Sequence, residues 1–155
     1  MDFIPKALEI VSDKSWVEMH PVKPVGHIRD SGVAQIEQFE KESNLKIPHA
    51  VRAWYELPGA VSLLARVGVM LFYADEFEIS AECDTRYINF ATDDVSAGMW
   101  SYEIGDQCDP RVFYCDVEET CKRVEVVNSF SKFILCALGD DSTGDTKLYG
   151  EFKPN

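Results

Sequence analysis

The stretch Phe90–Glu118, FATDDVSAGMWSYEIGDQCDPRVFYCDVE, constrains this chain most. Two short apolar and aromatic runs, Met99–Ile104 and Arg111–Cys115, are separated by Gly105-Asp106-Gln107-Cys108-Asp109-Pro110. Val112, Phe113 and Tyr114 are strand formers, because β-branched and aromatic side chains pack well on a pleated surface. Asp109-Pro110 favours a turn, since proline pushes the residue before it out of the helical region. The stretch predicts a β-hairpin with a long, acidic connection. It carries Glu103, Asp106, Asp109, Asp116 and Glu118 against one base, Arg111.

Helical signals precede the hairpin. Asp2–Ser12 predicts a short helix, with Pro5 in its first turn and Leu8 and Val11 facing inward. Residues 13–30 read as irregular, broken by Pro21, Pro24 and Gly26, with Trp16 and Met19 pinning the segment to the body. Asp30 or Ser31 is suited to cap a helix running to about Ser43, where Val33, Ile36 and Phe39 recur at three-residue spacing. Asn44 stops it. Leu45-Lys46-Ile47-Pro48 leads into a second helix, Pro48–Leu57, with Val51, Trp54 and Tyr55 on its core face and Pro58-Gly59 at its end.

Strand signals follow. Val67–Tyr73 predicts a buried strand, with a helix open for Ser62–Arg66. Asp75–Asp84 holds five acids and no base and reads as a loop or helix turn. Arg86–Ala91 alternates Tyr87 and Asn89 against Ile88 and Phe90, the period of a half-buried strand. Cys121–Val127 suggests a further strand after the hairpin. Ser129 then caps a helix to Leu138, with Phe130, Phe133, Ile134 and Ala137 at helical spacing and Gly139 closing it. Lys147–Phe152 reads as a short edge strand or a frayed end. Helices, then strands, then a helix give an α+β fold: a mostly antiparallel or mixed sheet flanked by N-terminal helices and one C-terminal helix. At 155 residues one domain is expected, with residues 1–29 as an N-terminal helix and irregular segment, 30–138 as the core and 139–155 as a tail.

The formal charge of −12 is unevenly spread. Residues 1–57 hold nine acids and seven bases, whereas 58–155 hold eighteen acids and eight bases. That balance argues against direct nucleic-acid binding, which needs clustered Lys and Arg. It fits either solubility or attraction to a basic partner. No run approaches a membrane span and no N-terminal apolar region resembles an export signal. With five cysteines and no C-x-x-C pattern, reduced thiols and a cytoplasmic location are expected.

Ordered landmarks over residues 30–138 resemble the SUKH superfamily, which includes many bacterial toxin-immunity proteins and some eukaryotic cell-wall regulators. The helix Ile36–Ser43 followed by Leu45-Lys46-Ile47-Pro48 is similar to that family's opening helix and Leu-Pro. Leu57-Pro58-Gly59 stands where the family has Asn-Gly after its second helix. Phe90-Ala91-Thr92-Asp93, Gly98 and Trp100-Ser101-Tyr102 match its central strands. Pro110–Tyr114 with Asp116, then Ser129–Ile134, match its ending. The resemblance implies an α+β domain and a protein-binding role.

The expected function is that of an immunity protein that binds and neutralises a basic toxin of the nuclease or deaminase type. Trp100, Tyr102, Phe113 or Tyr114 would supply an aromatic centre, and Glu103, Asp106, Asp109, Asp116, Glu118 and Glu119 a charged rim. The alternative is a regulatory or scaffold module of the same fold. A monomer is favoured, with no cofactor and no metal. His20 and His27 have no Cys or carboxylate spaced to complete a site. Asp140–Asp145 does not follow the calcium-loop pattern. An enzyme is not expected. Asp93-Asp94, or Asp140-Asp141 with Asp145, could serve a metal-assisted hydrolase, but adjacent carboxylates on a strand face opposite ways. Cys115 or Cys121 would need a base, and all three histidines precede residue 50.

Overall fold

Burial of an apolar stripe organises each helix. In the computed structural model, which describes residues 3–22, 32–93, 98–116, 122–140 and 148, α1 (Phe3–Ser12) buries Phe3 and Ala7. Residues 14–19, expected to be irregular, form α2 (Lys14–Met19). Asp13 is the reason, because its side chain caps the first turn, accepting from the N–H of Ser15 at 2.9 Å and of Trp16 at 3.3 Å. The Ser15 hydroxyl, then these N–H groups, hold the Asp13 carboxyl below its ordinary pKa. Trp16 is buried and donates its indole N–H to the Leu138 carbonyl at 2.8 Å. Met19, by contrast, is 71% exposed and pins nothing.

Helix α3 (Val33–Ser43) begins at Gly32 without a side-chain cap, and Asp30 and Ser31 lie outside the described residues. It ends at Asn44, whose φ of 59° is the left-handed stop the sequence predicts. Glu40 fixes the next joint. Its carboxylate accepts from the Ile47 N–H at 2.9 Å and from Arg52 at 2.5 Å, so α4 (His49–Tyr55) is held at a set angle to α3. Val51, Trp54 and Tyr55 are buried as expected. Gly59, at φ 76°, leads into α5 (Ala60–Ala65).

The described strands form a six-stranded sheet in which every pairing is antiparallel. They are β1 (Val69–Leu71), β2 (Glu78–Glu82), β3 (Thr85–Asp93), β4 (Gly98–Glu103), β5 (Val112–Asp116) and β6 (Val124–Val127). The order is β1-β3-β4-β5-β6, and β2 pairs with the other half of β3 on the β1 side. The hairpin β4–β5 matches the expectation from sequence. The acidic segment 75–84 does not: after a short 3₁₀ turn, Ala74–Glu76, it forms β2. Its polar residues Glu78, Ser80 and Glu82 fall at period two, so the strand keeps one polar face despite its acids. The last helix, α6 (Phe130–Ala137), is capped by Ser129, whose hydroxyl accepts from the Lys132 N–H at 3.2 Å. The proposed strand at 147–152 lies outside the described residues except Leu148.

One hydrophobic core joins all the helices to one face of the sheet. Phe133 of α6 meets Phe90 at 5.4 Å and Trp100 at 5.6 Å, edge-on. Trp100 in turn meets Tyr114 at 5.4 Å. Each such fully buried side chain contributes about 1.5–3 kcal/mol by leaving water. Tyr114 donates its hydroxyl to buried Asp93 at 3.1 Å, and its ring lies against Gly98, where an added Cβ would sit 1.9 Å from the Tyr114 oxygen.

Gly98→Ala should therefore displace Tyr114 and lower stability by about 1–3 kcal/mol, read as a shift in the urea midpoint. The two-residue turn Cys83-Asp84 generates a prediction of opposite sign. Cys83 has φ 55°, a conformation natural to glycine in such turns. Cys83→Gly should raise stability by up to about 1 kcal/mol, the relief of strain exceeding the added freedom of the unfolded chain.

Candidate protein-binding face

Period two sends alternate residues of the same strands away from the helices. The register aligns Ser80, Tyr87 and Glu103 in one outer row and Glu78, Asn89, Ser101, Phe113 and Glu125 in the next. Arg123, just before β6, reaches across this face. Its guanidinium donates to Ser101 Oγ at 3.1 Å, Asn89 Oδ1 at 3.1 Å, Glu82 Oε2 at 3.3 Å and the Ser80 hydroxyl. It also stacks over the Tyr87 ring, 4.5 Å from its centre. With its side chain 11% exposed, Arg123 covers the buried polar groups of Asn89 and Ser101. A lysine presents one compact ammonium and cannot reproduce this planar fork.

The contact row continues across the sheet. Tyr87 meets Phe113 edge-on at 5.4 Å, and Arg111 lies 5.7 Å from the centre of the Phe113 ring. Arg111 bonds Glu103 at 3.2 Å and Glu125 at 3.1 Å. Two guanidiniums thus flank a pair of touching aromatic rings, bordered by carboxylates. Burial, then the Glu82 and Glu103 carboxylates, push the Tyr87 phenol above its ordinary pKa, while Arg123 opposes them.

Several residues expected at an interface lie elsewhere. Trp100 and Tyr102 are buried in the core, because they share the inward phase of β4 with the partners of α6. Neither can be an exposed aromatic centre. Burial, with Glu40 adding to it, raises the Tyr102 phenol far above its ordinary pKa. Tyr114 is buried as well, so of the four aromatic candidates only half-buried Phe113 reaches the outer face.

Among the acids, Glu103 is paired with Arg111. Asp109 serves the fold, accepting from the Ser131 N–H at 2.9 Å and hydroxyl at 2.5 Å at the start of α6. The neighbouring Cys108 carbonyl accepts from the Ala50 N–H at 2.9 Å and ties the same turn to α4. Asp106 is exposed, Asp116 is half-buried opposite Gly98, and Glu118 and Glu119 lie outside the described residues.

Sequence reasoning missed Arg123, Ser80 and Asn89 as members of one site. The alternation of Tyr87 and Asn89 was a signal, but nothing local says that Arg123 lies over them. No group of three or more His, Cys, Asp or Glu gathers as a metal centre among the described residues. His20 stacks on Trp16 at 5.0 Å, and His27 lies outside the described residues, as do Asp94, Asp141 and Asp145. No described helix is long and apolar enough to cross a membrane. Comparison with protein-family models, curated proteins and solved structures finds no match to the chain.

The two arginines predict different costs. Arg123→Lys should lower stability by about 1–3 kcal/mol by leaving shielded acceptors unpaired. Arg111→Lys should cost about 0–1 kcal/mol, since Arg111 is 53% exposed and its ion pairs are solvated. Urea unfolding of the two variants side by side checks the ranking.

Proposed function

We propose that this chain is a cytoplasmic immunity protein that binds and neutralises a basic polymorphic toxin of the nuclease or deaminase type. The observation that carries this reading is the surplus of acid after residue 57, eighteen carboxylates against eight bases. Part of it is spent inside the fold, on Asp93, Asp109 and the arginine pairs. Glu78, Asp84 and Asp106 are exposed and make no ion pair among the described residues. A toxin that handles nucleic acid must present a basic face to a polyanion, and a surface of solvated carboxylates competes for that face. On the outer face, exposed Arg111 and half-buried Phe113, backed by buried Tyr87, supply the guanidinium and aromatic groups that concentrate binding energy in interfaces. The SUKH-like order of landmarks supports the same reading.

Long-range attraction of this kind is screened by salt, with a Debye length near 30 Å at about 0.01 M and 3 Å at about 1 M. Affinity capture on the tagged chain from its native cytoplasm at low and high salt, with partners identified by mass, tests the proposal. The expected result is one basic toxin domain, released by salt, with an association rate that falls at least ~10-fold over that range. A housekeeping partner would replace the proposal with a regulatory module of the same fold, and salt-independent binding would remove its electrostatic basis.

A further inference from the structure

Among the described residues, the β2–β3 hairpin leaves one backbone edge open. The Ile104 N–H donates to the Arg86 carbonyl at 2.9 Å, so Arg86 turns its backbone groups toward β4. Its neighbours in the alternation, Thr85, Tyr87 and Asn89, turn theirs toward β2, opposite Glu82, Ser80 and Glu78. The N–H and C=O of Ile79 and Ala81 consequently point away from the sheet. Both residues are exposed, and no strand pairs with that edge among the described residues.

The side chains along this edge select its occupant. Ile79 is 45% exposed, an apolar foothold beside buried Ile88. Glu78 and Asp84 are exposed at either end of the hairpin strand, while Glu82 is paired with Arg123. A second copy of this chain is a poor fit. Antiparallel pairing about Ser80 would set Glu78 of each copy opposite Glu82 of the other, and like charges directly across a ladder repel. An extended segment rich in Lys or Arg meets the same carboxylates with attraction, while its backbone supplies the missing ladder.

We propose that the outer edge of β2 is a strand-addition site for an extended cationic segment of a protein partner. The proposal deepens the reading of a basic partner given above and rests on it. Recognition comes from main-chain hydrogen bonds at Ile79 and Ala81, an apolar contact at Ile79, and the flanking carboxylates.

The test uses the full chain, isotopically labelled, and a synthetic peptide of alternating lysine and valine at low salt. A second peptide of the same sequence carries N-methyl groups on the residues that would face β2, keeping the charge but removing the donors. The first peptide should slow amide exchange at Ile79 and Ala81 at least ~10-fold, and the methylated peptide should bind at least ~10-fold more weakly. Ala81→Pro removes an N–H that β3 does not use and should weaken binding of the first peptide similarly. Equal binding of the two peptides, protection confined to another strand, or no binding at low salt would each overturn the site. Toxin capture separates this proposal from the one it rests on. A toxin that binds Ala81→Pro as tightly as the unaltered chain removes the β2 site and leaves the immunity reading. Peptide binding at β2 with no toxin captured does the reverse.

Discussion

The packing of Phe133 against Phe90 and Trp100 decides which side of the sheet is dry. Once α6 covers that side, the two-residue period of each strand sorts every other side chain. Trp100, Tyr102, Val112 and Tyr114 go inward with it. Ser101, Glu103 and Phe113 go outward by the same rule. A slip of one residue in β4 would exchange the two sets and expose two of the largest side chains in the core. Gly98 belongs to this constraint, because the Tyr114 ring occupies the space its side chain would need.

Charge is organised by a second constraint, the need to satisfy polar groups that the outer face half-buries. Asn89 and Ser101 are buried there, and Arg123 supplies donors to both while pairing Glu82 and stacking on Tyr87. The face is therefore close to neutral at its centre. Among the described residues, Glu78 and Asp84 of the β2 hairpin and Asp106 of the β4–β5 turn are exposed acids without an ion pair. A partner drawn by charge, as proposed above, would meet the rim first and then the aromatic and guanidinium row. This division suits an interface in which steering and tight packing come from different residues.

The acidic connection of the central hairpin shows how one chemical feature can serve two ends. Asp109 and the Cys108 carbonyl clamp the turn to α6 and α4, while Asp106, three residues earlier, is exposed. The carboxylates look alike in sequence. Their roles diverge because only Asp109 lies within reach of the unpaired N–H groups at a helix start.

Local chemistry determined much of this protein from the sequence alone. The α+β class, the β4–β5 hairpin, the left-handed stop at Asn44, the core face of α4 and the cap at Ser129 all follow from side-chain period, turn residues and caps, which act over a few residues. Where local signals competed, the reading failed. The acid content of 75–84 concealed the period-two pattern of β2, and the prolines after residue 20 drew attention from the cap at Asp13. Tertiary structure alone decided which aromatic residues are exposed and which acids are paired. Trp100 and Phe113 are equally good strand residues, and only the position of α6 puts one in the core and the other outside. Arg123 lies 22 residues from Ser101 and 43 from Ser80, so their hydrogen bonds exist only because the sheet folds those strands side by side. Sequence sets each strand's alternation, whereas the packing of distant elements selects the phase that faces water.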